Sequence, residues 1–126
     1  MPDTPFAYCV LRVVPDVERG EFINAGVVLF ARQAGFLAAQ IALDRARFEA
    51  LSARCDFDAV ARHLDALERV AAGDPDGGPI ASMEPSERFN WLAAPSSTVV
   101  QPSPVHTGVT ADPAAKLAQL FARLVG

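Results

Sequence analysis

Between Ser86 and Gly108 the chain gathers most of the side chains that could recognise another molecule: Arg88, Trp91, Ser96, Ser97, Thr98, Gln101, Ser103 and His106. Arginine and hydroxyl groups can hold an anion, and an aromatic ring can stack on another. Serine next to histidine raises nucleophilic catalysis, with His106 as base and Asp112 or Glu21 as the orienting acid. No GxSxG elbow, HExxH helix, GxxxxGK[ST] loop or GxGxxG turn accompanies them. Ser, Thr and Pro also populate ordinary turns, and Trp91 beside Phe89 and Leu92 fits a core position.

A second group lies near the start, in FAYCVLRVVPDVERGEFINAGVVLFAR, Phe6 to Arg32. Two apolar runs flank a polar connector that carries Arg19, Gly20 and Glu21, which reads as a β-hairpin. Side chains alternate along a strand, so Tyr8, Val10, Arg12 and Val14 share one face and Ala7, Cys9, Leu11 and Val13 the other. A strand apolar on both faces is usually covered on both sides or sits centrally in its sheet. In the second strand Ile23, Ala25, Val27, Leu29 and Ala31 form one expected face, with Asn24, Gly26, Val28 and Phe30 opposite. Asn24 and Gly26 interrupt that apolar face. A strand glycine marks a bulge or a close approach, here to a covering helix, and Asn24 is expected to bond to a turn.

If the sheet brings the two groups together, Arg12, Asn24, Arg88, Ser97, Thr98 and Gln101 form one polar pocket, with Arg19, Glu21, Trp91 and His106 as outer candidates.

The elements that must position these groups follow from pattern. Phe36 to Leu43 reads as a third strand and completes a meander. Asp44 is placed to cap a short helix, with Leu43 and Phe48 as a hydrophobic staple. Phe57 to Ala72 repeats apolar residues at helical spacing and stops at Gly73. His63, at the border of that stripe, has no second ligand at i+4 and reads as a surface residue. Gly73 to Glu87 is rich in Gly, Pro and acidic residues and reads as a mobile loop. Ser86 is expected to cap a helical turn that ends at Pro95, Ser96 to Val100 to form a strand, and Gln101 to Val109 to run along a sheet edge because of its prolines. Asp112 and Pro113 open a closing helix bearing Leu117, Leu120, Phe121 and Leu124. The expected fold is a single α+β domain over residues 1–126, its antiparallel sheet of about four strands (the meander plus one C-terminal strand) packed with about three to four helices.

Composition bounds the function. The chain has 126 residues, 51% hydrophobic and 21% charged, which suits one globular domain with a real core. A net charge of −4 argues against a broad nucleic-acid surface, while Lys116 being the one lysine is a composition bias without functional weight. No apolar run reaches the ~18 residues of a membrane span and no secretory signal is read at the start, so a cytoplasmic protein is expected. Cys9 and Cys55 lack zinc or redox spacing and are expected to be reduced and buried; no metal and no cofactor is expected.

YCVLRVVPDVERGEFINAGVVLF and RFNWLAAPSSTVVQPSPVHTGVTADPAAKLAQLF together resemble the bacterial proteins grouped as domain of unknown function 3037. The resemblance singles out Arg12, Arg19, Gly20, Glu21, Asn24, Gly26 and Val27 in the first segment, and Arg88, Trp91, Pro95, Ser97, Thr98, Gln101 and Pro102 in the second. It implies no established activity. It implies a protein partner, a neighbouring kinase resembling the persistence-toxin type. Two functions follow: a non-enzymatic accessory or interaction module, which the lack of a complete catalytic set favours, or a small-ligand or nucleic-acid-processing enzyme using the Arg/Ser/His group.

Overall fold

The computed structural model describes residues 3–52 and 54–126. Its sheet is antiparallel, built from β1 (Thr4–Val13), β2 (Ile23–Ala31), β3 (Phe36–Ile41), β4 (Val100–Pro102) and β5 (His106–Thr110). The order is β3-β2-β1, and both β4 and β5 pair with the remaining side of β1. β4 lies against Leu11–Val13 and β5 against Thr4–Tyr8. Four helices complete the α+β fold: α1 (Arg45–Leu51), α2 (Phe57–Ala72), α3 (Pro85–Ala93) and α4 (Pro113–Leu124).

β1 is apolar on both faces because both faces are covered. Cys9, Leu11 and Val13 join Phe48, Val60, Leu64, Phe89 and Leu92 in a core formed with α1, α2 and α3. Phe6, Val27, Leu29 and Ala31 pack instead against Leu117, Leu120 and Val125, beneath α4. The helices start where carboxylates can accept from first-turn amides: Asp44 from Arg47 N at 3.2 Å, Asp56 from Ala59 N at 3.2 Å and Asp112 from Ala115 N at 3.1 Å. Gly73 ends α2 at φ 70°, in the left-handed region where glycine carries no steric cost.

Several expectations are corrected. Strict alternation along the second strand fails at a bulge: Leu11 faces Gly26 but Arg12 faces Asn24, so Ala25 has no partner in β1. Beyond it the faces exchange. Ala25 and Val28 lie in the core under α1 to α3, while Val27, Leu29 and Ala31 lie under α4. Gly26 makes room for a neighbouring strand rather than a helix, since a Cβ there would sit 2.5 Å from Ile41 Cδ1.

The C-terminal part supplies two strands, not one. Ser96 to Val99 lies outside the ladder, and Pro102-Ser103-Pro104 breaks the edge into β4 and β5. Buried Ser103 bridges the break: its N–H donates to Val10 O at 2.8 Å and its Oγ accepts from Val10 N at 2.8 Å. Two short 3₁₀ turns, Pro75–Gly77 and Ile80–Ser82, occupy the segment after Gly73. Helix α3 already begins at Pro85, with no side-chain cap from Ser86, because proline loses nothing at a first helical position. Trp91 is 45% exposed rather than in the core. Neither cysteine is bridged; Cys9 is buried, but Cys55 only half-buried.

Candidate functional site

Register brings part of the polar group together. Arg12 stands opposite Asn24 in β2 and opposite Gln101 in β4, so the three share one row on the α4 face. Asn24 Nδ2 donates to Leu124 O at 3.0 Å, at the end of α4 rather than to a turn. The Arg12 guanidinium lies 4.4 Å above the Phe22 ring. Gln101 Nε2 donates to Thr98 O at 2.8 Å and so holds the Ser96 to Val99 segment against the row. Two polar atoms there are buried without partners among the described residues, the donor Arg12 Nε and the acceptor Asn24 Oδ1.

The other candidates lie elsewhere. Arg88 is across the sheet, where its Nη1 donates to Ala81 O at 3.3 Å and its guanidinium lies against Gly73. Thr98 Oγ1 donates to Val100 O at 3.1 Å and lies 2.9 Å from Ser96 Oγ; Ser97 is exposed beside them. Trp91 and His63 border a slot of about 200 Å³ whose floor includes Leu11, Leu67 and Pro102. Arg19 pairs with Glu21 at 2.6 Å on the surface, and that hydrogen bond raises the already high Arg19 pKa. His106, exposed on β5, faces Tyr8 with ring centres 5.3 Å apart.

No serine, histidine and acid converge among the described residues. Glu21 is engaged by Arg19, and Asp112 caps α4. The row of Arg12, Asn24 and Gln101 contains no base or nucleophile, so it can hold a polar group but has no means of moving a proton. Burial pushes the Cys9 thiol up to about 12, far from a reactive thiolate. Among the described residues no three His, Cys, Asp or Glu side chains are grouped to hold a metal ion, and no helix is long and apolar enough to cross a membrane.

The sheet edge is a separate feature. Along β1 the even-numbered residues turn their backbone groups toward β4 and β5, as the bonds of Val14 N to Val99 O and Ser103 N to Val10 O show. Tyr8, Phe6 and Thr4 therefore pair with His106, Gly108 and Thr110, and the N–H and C=O of Thr107 and Val109 point outward. Nothing among the described residues bonds to those outward groups. Val109 is 62% exposed. β4 is blunted by comparison: Pro102 has no N–H, and Val100 O is occupied by Thr98 Oγ1. At the opposite edge β3 is half-buried along its whole length and packs against α2 and α4.

Beside β5, on the sheet face beyond α3, lies an open hollow of about 570 Å³ lined by Pro5, Ala7, Phe30, Arg32, Thr107 and Val109. Sequence placed an edge within Gln101 to Val109. It gave no sign of the hollow, which exists only because β2, β1 and β5 lie side by side there.

No curated protein and no solved structure matches the chain. A family model described as Protein of unknown function (DUF3037) matches residues 8–125, nearly the whole length. With all of the meander but the first residues of β1, the split C-terminal edge and the closing helix inside that match, the chain belongs to the DUF3037 family.

Proposed function

We propose that this chain is a non-enzymatic protein-interaction module of the bacterial cytoplasm that takes up an extended segment of a partner along β5. The observation that carries the reading is the uncharged β5 edge, whose outward Thr107 and Val109 backbone groups meet no partner among the described residues. An added strand gains main-chain hydrogen bonds from such an edge, and exposed Val109 gives it an apolar contact. The unbridged Cys9 and Cys55 support a reducing compartment. The resemblance supplies the first partner to test, a kinase of the persistence-toxin type.

The second reading is a small-ligand or nucleic-acid-processing site on the Arg12, Asn24 and Gln101 row. The buried, unpartnered Arg12 Nε and Asn24 Oδ1 favour it, since such atoms ordinarily find a partner. The missing base and nucleophile leave it behind the first.

The test is a tagged pull-down from native cells at near-physiological salt, with the wild type and Thr107→Pro side by side. Proline removes one outward N–H and is tolerated at a sheet edge. The expected result is a stoichiometric partner with the wild type and about tenfold less with the variant, at an unchanged melting temperature. No partner even under gentle crosslinking, or equal capture by both proteins, contradicts the reading and directs attention to the polar row.

A further inference from the structure

We propose that the hollow on the β2–β1–β5 face binds an amphipathic monocarboxylate of medium chain length, its carboxylate on Arg32 and its apolar chain laid across Pro5 and Ala7 toward Val109. This site goes beyond the edge-binding reading and is compatible with it: a partner strand extends the sheet in its own plane, whereas this ligand lies on the face.

The lining defines the ligand's two ends. Ala7 faces Phe30 on one side and Thr107 on the other, and Pro5 faces Val109. Arg32, the first residue of the 3₁₀ turn Arg32–Ala34 that follows β2, lines the hollow together with Phe30 and Pro5. Apart from the Thr107 hydroxyl the floor is apolar from β2 to β5, closed on the helix side where the Phe30 ring stacks on Phe89 of α3 at 5.3 Å.

Charge complementarity selects the head group. Arg32 is the one charged residue lining the hollow, is exposed, and forms no ion pair among the described residues. Glu84 and Glu87 line the next hollow, on the other side of Arg32, and neither closes an ion pair with it. A guanidinium with free N–H groups beside an apolar floor matches a planar carboxylate carrying a hydrocarbon body.

Sheet geometry sets the length. Two inter-strand spacings separate β2 from β5, about 9.6 Å. A staggered carbon chain advances about 1.3 Å per atom, so about eight carbons cross the floor from β2 to β5.

Calorimetric titration of the full chain with butanoate, octanoate, dodecanoate and octanol tests the site, with amide shifts to locate binding. Octanoate is expected to bind at least about tenfold more tightly than butanoate, because each methylene laid on an apolar surface adds roughly two- to fourfold. Dodecanoate should gain little more. Octanol should bind about tenfold more weakly than octanoate, and Arg32→Gln should erase that difference. Val109→Asp should weaken octanoate, with both variants melting at the wild-type temperature and the amide shifts centred on Ala7, Thr107 and Val109. Equal affinity for octanol and octanoate, an unaffected Arg32→Gln, shifts centred on Trp91, or no binding up to about 1 mM overturns the proposal.

Discussion

Ser103 shows how one side chain decides the path of the chain. Between Pro102 and Pro104 the backbone has few donors to offer β1, and the Ser103 hydroxyl takes the place of a carbonyl by accepting from Val10 N and donating to Pro104 O at 2.9 Å. Ser103→Ala leaves the Val10 amide buried without an acceptor, a loss of about 1–3 kcal/mol. Denaturant unfolding should show a lower midpoint at an unchanged slope. Cys9 makes a second prediction. Burial raises its pKa from 9.0 to about 12, so the folded state keeps a proton that the unfolded state releases. Its contribution is full below about pH 9 and is lost as pH rises toward 12, because there the unfolded state binds fewer protons. Stability against pH should therefore fall more steeply over that window in the wild type than in Cys9→Ala; parallel curves would contradict the burial.

At the scale of elements, capping and periodicity were legible and register was not. Asp44, Asp112 and Gly73 act through local geometry, and each helix boundary they predicted is found. The bulge at Ala25 belongs to the β1–β2 register, which alternation alone does not reveal, although Gly26 beside it marks the place. Trp91 stays outside the core because Phe89 and Leu92 fill the buried face of α3. Of the candidate pocket, Arg12, Asn24 and Gln101 meet through cross-strand register, while α3 carries Arg88 to the opposite face. Gly26 offers a test of this packing. Gly26→Ala places a methyl 2.5 Å from Ile41 Cδ1 and 3.1 Å from Gln40 O, and should cost about 1–3 kcal/mol. Ile41→Val removes the nearer atom, so the double variant should be less destabilised than the two single losses added together.

Across the whole molecule, the two apolar faces of the sheet are treated differently. Helices α1 to α3 and α4 cover most of it, while the corner formed by β5, the start of β1 and the end of β2 stays open. That corner holds both the unpaired edge and the hollow. β4 is blunted by proline and by a hydroxyl on a carbonyl, and β3 is half-buried between α2 and α4, which favours β5 as the edge for the strand addition proposed above. Amide hydrogen exchange on the isolated chain addresses this most directly. A free β5 edge requires fast exchange at Thr107 and Val109 and slow exchange at His106 and Gly108, whose amides point to β1. Slow exchange at all four positions would contradict it, for it would mean that the edge is already covered.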